Sequence, residues 1–270
     1  KIAITTPVAQ TTRYQIKCIF TDDTSQIIFI DTPGVHKPLN KLGEFLADES
    51  KSSIEDSDVV LFLVDSKDEA GAGDGWIVEN YLSALNKPVI IVANKIDTVS
   101  PIKLENNIIS YKKLFEKNLP VVKISAKTGK NVQVLLEKIK EYLSLGEKLY
   151  PDDEITDQNM RAIVSEVIRE KIILNTKDEI PHSVAVLVED YKQTETIDRI
   201  KAQIIVSQES QKGIIIGKGG AMLKKIGTEA RKEIEDIAQN KVFLELFVKV
   251  KKNWQKDNNA LKALGFEKKI

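Results

Sequence analysis

The sequence predicts a mixed α/β protein in two parts: a doubly wound parallel sheet flanked by helices, then a smaller α+β unit. Three observations carry this. Short apolar runs rich in β-branched residues, each ending at a polar residue, alternate with helical stretches up to about residue 143. Composition then shifts at GEKLYPDDEITD (146–157), where Gly, Pro and acid come together. Beyond it, helix-spaced apolar residues are followed by two strands, a glycine-rich turn, a second helix and a third strand. The expected division is therefore 1–146, a linker at 147–156, and 157–270.

Along the chain, Tyr14, Ile16, Cys18 and Phe20 alternate ahead of the turn TDDTS, so 14–30 reads as a hairpin. QIIFI (26–30), VVLFLVD (59–65), PVIIVANK (88–95) and VVKIS (121–125) read as parallel strands buried on both faces. Helices are expected near 40–54, 76–86, 103–117 and 131–143, and this alternation predicts the doubly wound sheet. After the linker, Thr156 or Asp157 is placed to cap a helix in which Met160, Ile163, Val164, Val167, Ile168 and Ile172 share a face. HSVAVLVEDY and RIKAQIIVSQ follow as strands. The next helix turns Leu223, Ile226, Ala230, Ile234 and Ile237 to one side, and in KVFLELFVKV (241–250) the residues Val242, Leu244, Leu246, Val248 and Val250 face one way. A short helix at about 254–264 closes the chain.

Composition narrows the function classes. Of 270 residues, 42% are hydrophobic and 30% charged, enough for two ordinary cores. No apolar run reaches the roughly 18–20 residues that span a bilayer. The single cysteine, Cys18, excludes an internal disulfide and reads as a small strand residue. Net charge is zero but unevenly spread. Residues 151–210 hold 7 Lys and Arg against 13 Asp and Glu, whereas 211–270 hold 14 against 7, and that basic block suits a polyanion.

Three short motifs end successive strands, where ligands bind in open α/β sheets. In DTPG, a GTP-binding candidate as a whole with Thr32 and Pro33 included, Asp31 can reach a Mg²⁺ through water and Gly34 can bring its N–H to a γ-phosphate with no side chain in the way. In NKID, Asp97 can accept from the N1–H and exocyclic amine of guanine, donors that adenine does not offer in that arrangement. A site built for such donors rejects an analogue lacking them by roughly 10⁴-fold. Asn94 can brace the loops, the Lys95 stem can lie over the base, and SAK (Ser125, Ala126, Lys127) can offer N–H groups to the guanine O6. Any one of these is also an ordinary turn; their order is what carries weight.

The glycine stretch GIIIGKGG (213–220) is not a nucleotide phosphate loop. Three residues separate Gly213 from Gly217, and Lys218 is followed by Gly219, not Ser or Thr. Gly217-Lys218-Gly219-Gly220 instead fits the G-x-x-G turn that clamps the backbone of about four single-stranded nucleotides. The helix after it offers Lys224, Lys225, Arg231 and Lys232, and QKGIII before it reads as an apolar floor for bases. A glycine turn packed against its own domain is the plainer alternative.

Taken in order, DTPG, NKID and SAK resemble the third to fifth nucleotide-binding elements of translation-factor-type GTPases. With AQTTR (9–13), DTPGVHKP, EVIREKI, EIPHSVAV, SQKGIIIGKGG and LELFVKVKKNW, the whole chain resembles the Era family of bacterial GTPases. The resemblance implies a P-loop-type GTPase domain followed by a type II KH domain. It implies Thr12 as the switch ligand of Mg²⁺ beside Asp31, with Thr11 the alternative. It implies GTP and GDP as ligands and allows a monovalent cation. It further implies binding of the 3′ end of 16S ribosomal RNA, a role in small ribosomal subunit maturation, a cytoplasmic monomer and peripheral association with the inner membrane. In such a switch, GTP orders 5–13 and 34–42 and biases the KH domain toward RNA. Val35 stands where Ras-type enzymes carry a water-orienting Gln; an apolar side chain cannot do that, so unassisted turnover of about 10⁻⁴–10⁻² s⁻¹ is expected. His36 beside it reads as an exposed loop residue.

One element is absent. The 270 residues contain no G-x-x-x-x-G-K-[ST], which in related GTPases precedes the switch, so the first strand, phosphate loop and first helix are expected upstream of Lys1. Without them GTP should bind poorly, and a sheet edge or apolar patch should lie open. The rival readings are a non-catalytic RNA-binding module on a degenerate nucleotide fold, and a GTPase whose KH domain docks only protein.

Overall fold

A computed structural model of the chain describes residues 2–8, 11–35 and 37–266. In chain order these form β1 (Ile16–Thr21), β2 (Gln26–Asp31), α1 (Lys41–Asp56), β3 (Val60–Asp65), α2 (Ala72–Ile77), β4 (Val89–Asn94), α3 (Pro101–Lys112), β5 (Val121–Lys123) and α4 (Val132–Lys140). There follow α5 (Met160–Asn175), the short α6 (Ile180–Ser183), β6 (Ala185–Lys192), β7 (Ile197–Val206), α7 (Glu209–Ile216), α8 (Ala221–Ala238), β8 (Lys241–Val250) and α9 (Asn258–Ala263).

The chain packs as two compact units: one of 1–21, 27–50 and 152–270, the other of 22–26 and 51–151. The division expected at 146–157 follows the order of motifs, whereas this one follows packing. Thr5 and Thr11 are bonded to α5, and Arg13 to the carbonyls of Pro181, His182 and Val184, so this stretch groups with the C-terminal part.

In the second unit β3, β4 and β5 form a parallel sheet in that order, with Val60 opposite Val89 and Ile91 opposite Val121. The apolar run explains the centre: Val89 to Ala93 are all buried. On one face Ile91 and Ala93 join Phe62, Val64 and the α3 residues Leu104, Ile108 and Tyr111 in one cluster. Ile90 and Val92 point the other way and are also fully buried. Ser100 accepts the Lys103 N–H and caps α3, with Pro101 at its first position. The helix expected near 76–86 begins earlier, as α2, and continues into a π-helical turn over Val78–Leu82.

One expectation is corrected here. QIIFI is not a strand of the parallel sheet; β2 pairs with β1 as a separate two-stranded sheet. The turn closes through the Asp22 N–H on the Ser25 carbonyl at 2.9 Å, and a four-residue connection of this kind suits only an antiparallel pair. Among the described residues β3 is an edge of its own sheet, and Leu63 on it is 60% exposed.

In the first unit β6, β7 and β8 form a third sheet, β6 antiparallel and β8 parallel to β7. Helices α5 and α8 cover its inner face, where Val164, Ile168 and Ile172 meet Ile226, Ala230 and Ile234, all fully buried. The period-2 pattern of β8 is as expected, with Val242, Leu244, Leu246 and Val248 on this core. Asn159, not Thr156 or Asp157, caps α5 by accepting the Ala162 N–H. Thr156 is occupied elsewhere: its hydroxyl donates to the Lys17 carbonyl at 2.8 Å and its backbone bridges Cys18. Trp254 is fully buried, donates to the Ser183 carbonyl at 3.0 Å, and stacks near Phe266 in a third cluster with Leu42 and Leu46. It is a packing residue, as is Tyr191, whose hydroxyl donates to the buried Asp198 at 2.6 Å.

Candidate nucleotide and nucleic-acid sites

The second unit holds the residues expected to read guanine. Asn94 is the last residue of β4; Lys95 follows with φ of 67°, a left-handed turn that leads into the short helical turn Ile96–Thr98 carrying Asp97. The Asn94 carboxamide oxygen accepts the Ala126 N–H at 2.9 Å and the Lys95 N–H at 2.7 Å, tying NKID to SAK. The buried Ser125 hydroxyl donates to Asp97 and holds that carboxylate below its usual range. Asp97 is itself exposed, so it keeps acceptor capacity toward a ligand. The Lys95 ammonium lies 2.6 Å from Asp65, which stretches its stem along the site. Ala126 and Lys127 are both exposed, and the Ala126 N–H is engaged by Asn94.

The first unit holds the residues expected at the metal. The Thr12 hydroxyl donates to the Asp31 carboxylate at 2.9 Å. Burial raises the Asp31 carboxyl above its ordinary value, and the bonds from Thr12 and the Thr32 N–H work against that rise. Thr11 is turned away; its hydroxyl donates to the Val8 carbonyl at 2.7 Å and shares a 2.5 Å bond with Thr6. A hydroxyl and a carboxylate that already touch are hard oxygen donors that suit Mg²⁺, an ion that keeps several waters and takes the rest of its shell from phosphates. No group of three or more His, Cys, Asp or Glu that could hold a metal occurs among the described residues. Pro33 is buried, and its carbonyl accepts the Ser50 hydroxyl at 2.9 Å, which anchors the DTPG turn to α1. Gly34 is exposed and Val35 half-buried, while Ala9, Gln10 and His36 lie outside the described residues.

Sequence reasoning missed what grips this switch segment. Arg13 is buried and donates to three backbone carbonyls, those of Val184, Pro181 (3.2 Å) and His182 (3.1 Å), with its guanidinium 6.0 Å from the Trp254 ring. Burial lowers its pKa to about 9, still high enough to keep the charge at neutral pH. Arg169 of α5 pairs with Glu166 and donates to the Thr11 carbonyl, while its Nη1 is buried without a partner. The Thr5 N–H donates to Glu170 at 2.9 Å. Glu166, Arg169 and Glu170 lie off the apolar face of α5, so helical periodicity reads them as solvated and gave no signal of their burial.

The glycine loop joins α7 to α8. Gly217 has φ of 70° and ψ of 173°, a conformation essentially reserved for glycine. An added Cβ there would sit 2.7 Å from the Met222 Cβ and 2.9 Å from its backbone nitrogen. Gly219 and Gly220, with φ of 60° and 80°, differ: nothing lies within 4 Å of where their Cβ atoms would be. That is open space in which another backbone can come close. Beside it runs a groove of about 430 Å³ between α8 and β8, lined by Leu223, Lys224, Gly227, Arg231, Phe243 and Leu246 among others. Gly227 lets the two elements approach, since a Cβ would stand 3.3 Å from Leu246.

QKGIII, expected as an apolar floor, does not line this groove. Residues 209–216 are a helix; Ile215 is fully buried in the core and Ile214 half-exposed, and neither lines the groove. The floor is made by Leu223, Val242, Leu244 and Leu246. Lys225 likewise stands outside the groove, 4.0 Å from Glu229.

Comparison with known proteins follows the same division. A family model described as a 50S ribosome-binding GTPase matches residues 1–95, and one described as a KH domain matches 179–255. A solved structure of Era in complex with MgGDPNP and nucleotides 1506–1542 of 16S ribosomal RNA is 39% identical, with a TM-score of 0.94 over 98% of this chain and 90% of that one. A variant of Aquifex aeolicus Era bound to GDP·AlF₄⁻ is 38% identical at the same TM-score, over 98% of this chain and 91% of that one.

Proposed function

The chain belongs to the Era family of GTPases, and from that premise we propose that it is a GTP-dependent RNA-binding switch acting on the 3′ end of 16S ribosomal RNA during small-subunit maturation. One observation carries the reading: a single chain holds an Asp97 carboxylate poised by Ser125 and a glycine loop open at Gly219 and Gly220. The first is an acceptor pair for guanine, the second a place for a ribose-phosphate backbone.

In this reading Asn94 and Asp97 select guanine, with Lys95 along the base, and Thr12 and Asp31 serve Mg²⁺. The metal neutralises phosphate charge. Val35 leaves water orientation to backbone and partner groups, so turnover is slow. RNA lies in the α8–β8 groove, its phosphates at Lys218–Gly220 and beside Lys224 and Arg231, its bases over Leu223 and Leu246. β8 is the edge strand of its sheet, so its outer backbone groups can pair with base edges. A monovalent cation, a cytoplasmic monomeric state and peripheral membrane association belong to the same proposal by family resemblance.

These 270 residues alone hold GTP weakly, because none of them supplies the G-x-x-x-x-G-K-[ST] cradle for the β- and γ-phosphates. Titration with fluorescent GDP tests this, and submicromolar affinity would refute it. Anisotropy with a short single-stranded RNA from the 16S 3′ end tests the RNA half. A clamp on about four nucleotides should give a log–log salt slope of roughly −2 to −3 at about −0.7 per phosphate. Binding without salt dependence, or none, rejects the clamp.

A further inference from the structure

The outer face of the C-terminal sheet carries two phenylalanines that the core does not use. Phe243 and Phe247 are 46% and 48% exposed, at the outward positions of β8 between Lys241, Glu245 and Lys249. Each lies under a cation from β7. The Arg199 guanidinium stands 5.6 Å from the Phe243 ring centre, directly across the ladder. The Lys201 ammonium stands 5.1 Å from that of Phe247, reaching diagonally past Glu245. Among the described residues Arg199 has no carboxylate partner, while Lys201 also lies 3.5 Å from Glu189 of β6. One end of this face, at Ala185 and Ile205, is covered by the cluster around Trp254 and α9. The Phe243–Phe247 end is open.

The open end is continuous with the groove. Phe243 lines the groove beside Gly220, Lys224 and Arg231, and β8 is an edge strand, so a chain passing over that edge moves directly onto the outer face. Charge points to the occupant: Arg199, Lys201, Lys241 and Lys249 against Glu245 on β7 and β8 favour a polyanion. Aromatic rings interleaved with cations suit unpaired bases, which stack on one and neutralise phosphates with the other. The two rings are about 13 Å apart at about 3.3 Å per residue, several times the roughly 3.4 Å between stacked bases. Each ring therefore takes its own base.

We propose that this face is a second single-stranded RNA surface, on which nucleotides flanking those in the glycine-loop groove stack on Phe243 and Phe247 while Arg199 and Lys201 swing to their phosphates. Base stacking outweighs an exposed cation–π contact, so the exchange is favourable. The inference rests on the groove being an RNA site and extends the footprint beyond it.

The test uses the full chain and two RNAs from the 3′-terminal 16S segment: a tetranucleotide that fills the groove, and the same sequence extended by eight nucleotides on either side. Phe247→Leu is the probe, because Phe247 does not line the groove and its exposure makes misfolding a small risk. The extended RNA should bind the native chain more tightly than the tetranucleotide. Phe247→Leu should lose roughly 5- to 150-fold on the extended RNA, the value of one base stack, and less than twofold on the tetranucleotide. Phe247→Trp should keep the advantage of length. A native chain that binds the tetranucleotide but gains nothing from length, or a Phe247→Leu variant that keeps the gain, overturns the inference alone. A native chain that binds neither RNA overturns the groove reading beneath it.

Discussion

Replacing Gly219 with alanine separates the fold of the glycine loop from its grip on RNA. The position has φ of 60°, and an added methyl meets nothing within 4 Å. The cost to the fold is then backbone strain alone, about 1–2 kcal/mol for a left-handed L-residue, partly offset by the roughly 0.4–1 kcal/mol by which alanine stiffens the unfolded chain. A shift of a few degrees in thermal midpoint follows. The same methyl fills the space a phosphodiester needs, so affinity for a short single-stranded RNA should fall at least about tenfold, or about 1.4 kcal/mol. Gly217→Ala is the contrasting control. Its methyl would sit 2.7 and 2.9 Å from Met222 atoms, one of them backbone, in a conformation only glycine adopts. It should lower the midpoint far more than Gly219→Ala. Calorimetry and fluorescence anisotropy on the three proteins decide the matter. If Gly219→Ala binds RNA within twofold of native, or Gly217→Ala melts with native, the loop is not the clamp described.

Other outcomes follow from the same geometry. Trp254→Ala removes a fully buried ring with its bond to Ser183 and should cost about 3–5 kcal/mol, read from the urea midpoint. Arg169→Leu strands Glu166 in the core and should cost about 3–5 kcal/mol, whereas adding Glu166→Leu should restore most of it; a double variant as unstable as the single would count against pairing as the cause. Asp97→Asn should shift preference from guanine toward xanthine nucleotides, whose C2 carbonyl can accept from the new amide; competition at millimolar nucleotide would show it. Burial and the bond to Asp198 raise Tyr191 to about 12 from an ordinary value of 10.0. The folded state thus keeps its proton longer than the unfolded chain. The resulting stability is complete below pH 10 and is lost as pH rises toward about 12. Tyr191→Phe should flatten that alkaline decline.

By itself the sequence determined what is local in period or spacing. The strand runs of β3, β4 and β8, the apolar faces of α5 and α8, and the order DTPG, NKID, SAK and G-x-x-G all follow from side chains repeating at 2.0 or 3.6 residues, or from glycine where φ is positive. Tertiary structure decided what depends on partners far apart in the chain. β2 reads both as a buried parallel strand and as the second arm of the 14–30 hairpin, and only the fold decides between them, in favour of the hairpin with β1. Thr156 has the chemistry of a cap but is drawn to Lys17, which leaves Asn159 to cap α5. GIII could be strand, loop or helix; it winds into α7 because Ile215 alone finds the core. Arg13 and Arg169 look like solvated charges until carbonyls more than 150 positions away are found to satisfy them. A buried guanidinium is tolerable only where the fold supplies acceptors, and no pattern of neighbouring residues records where those acceptors will be.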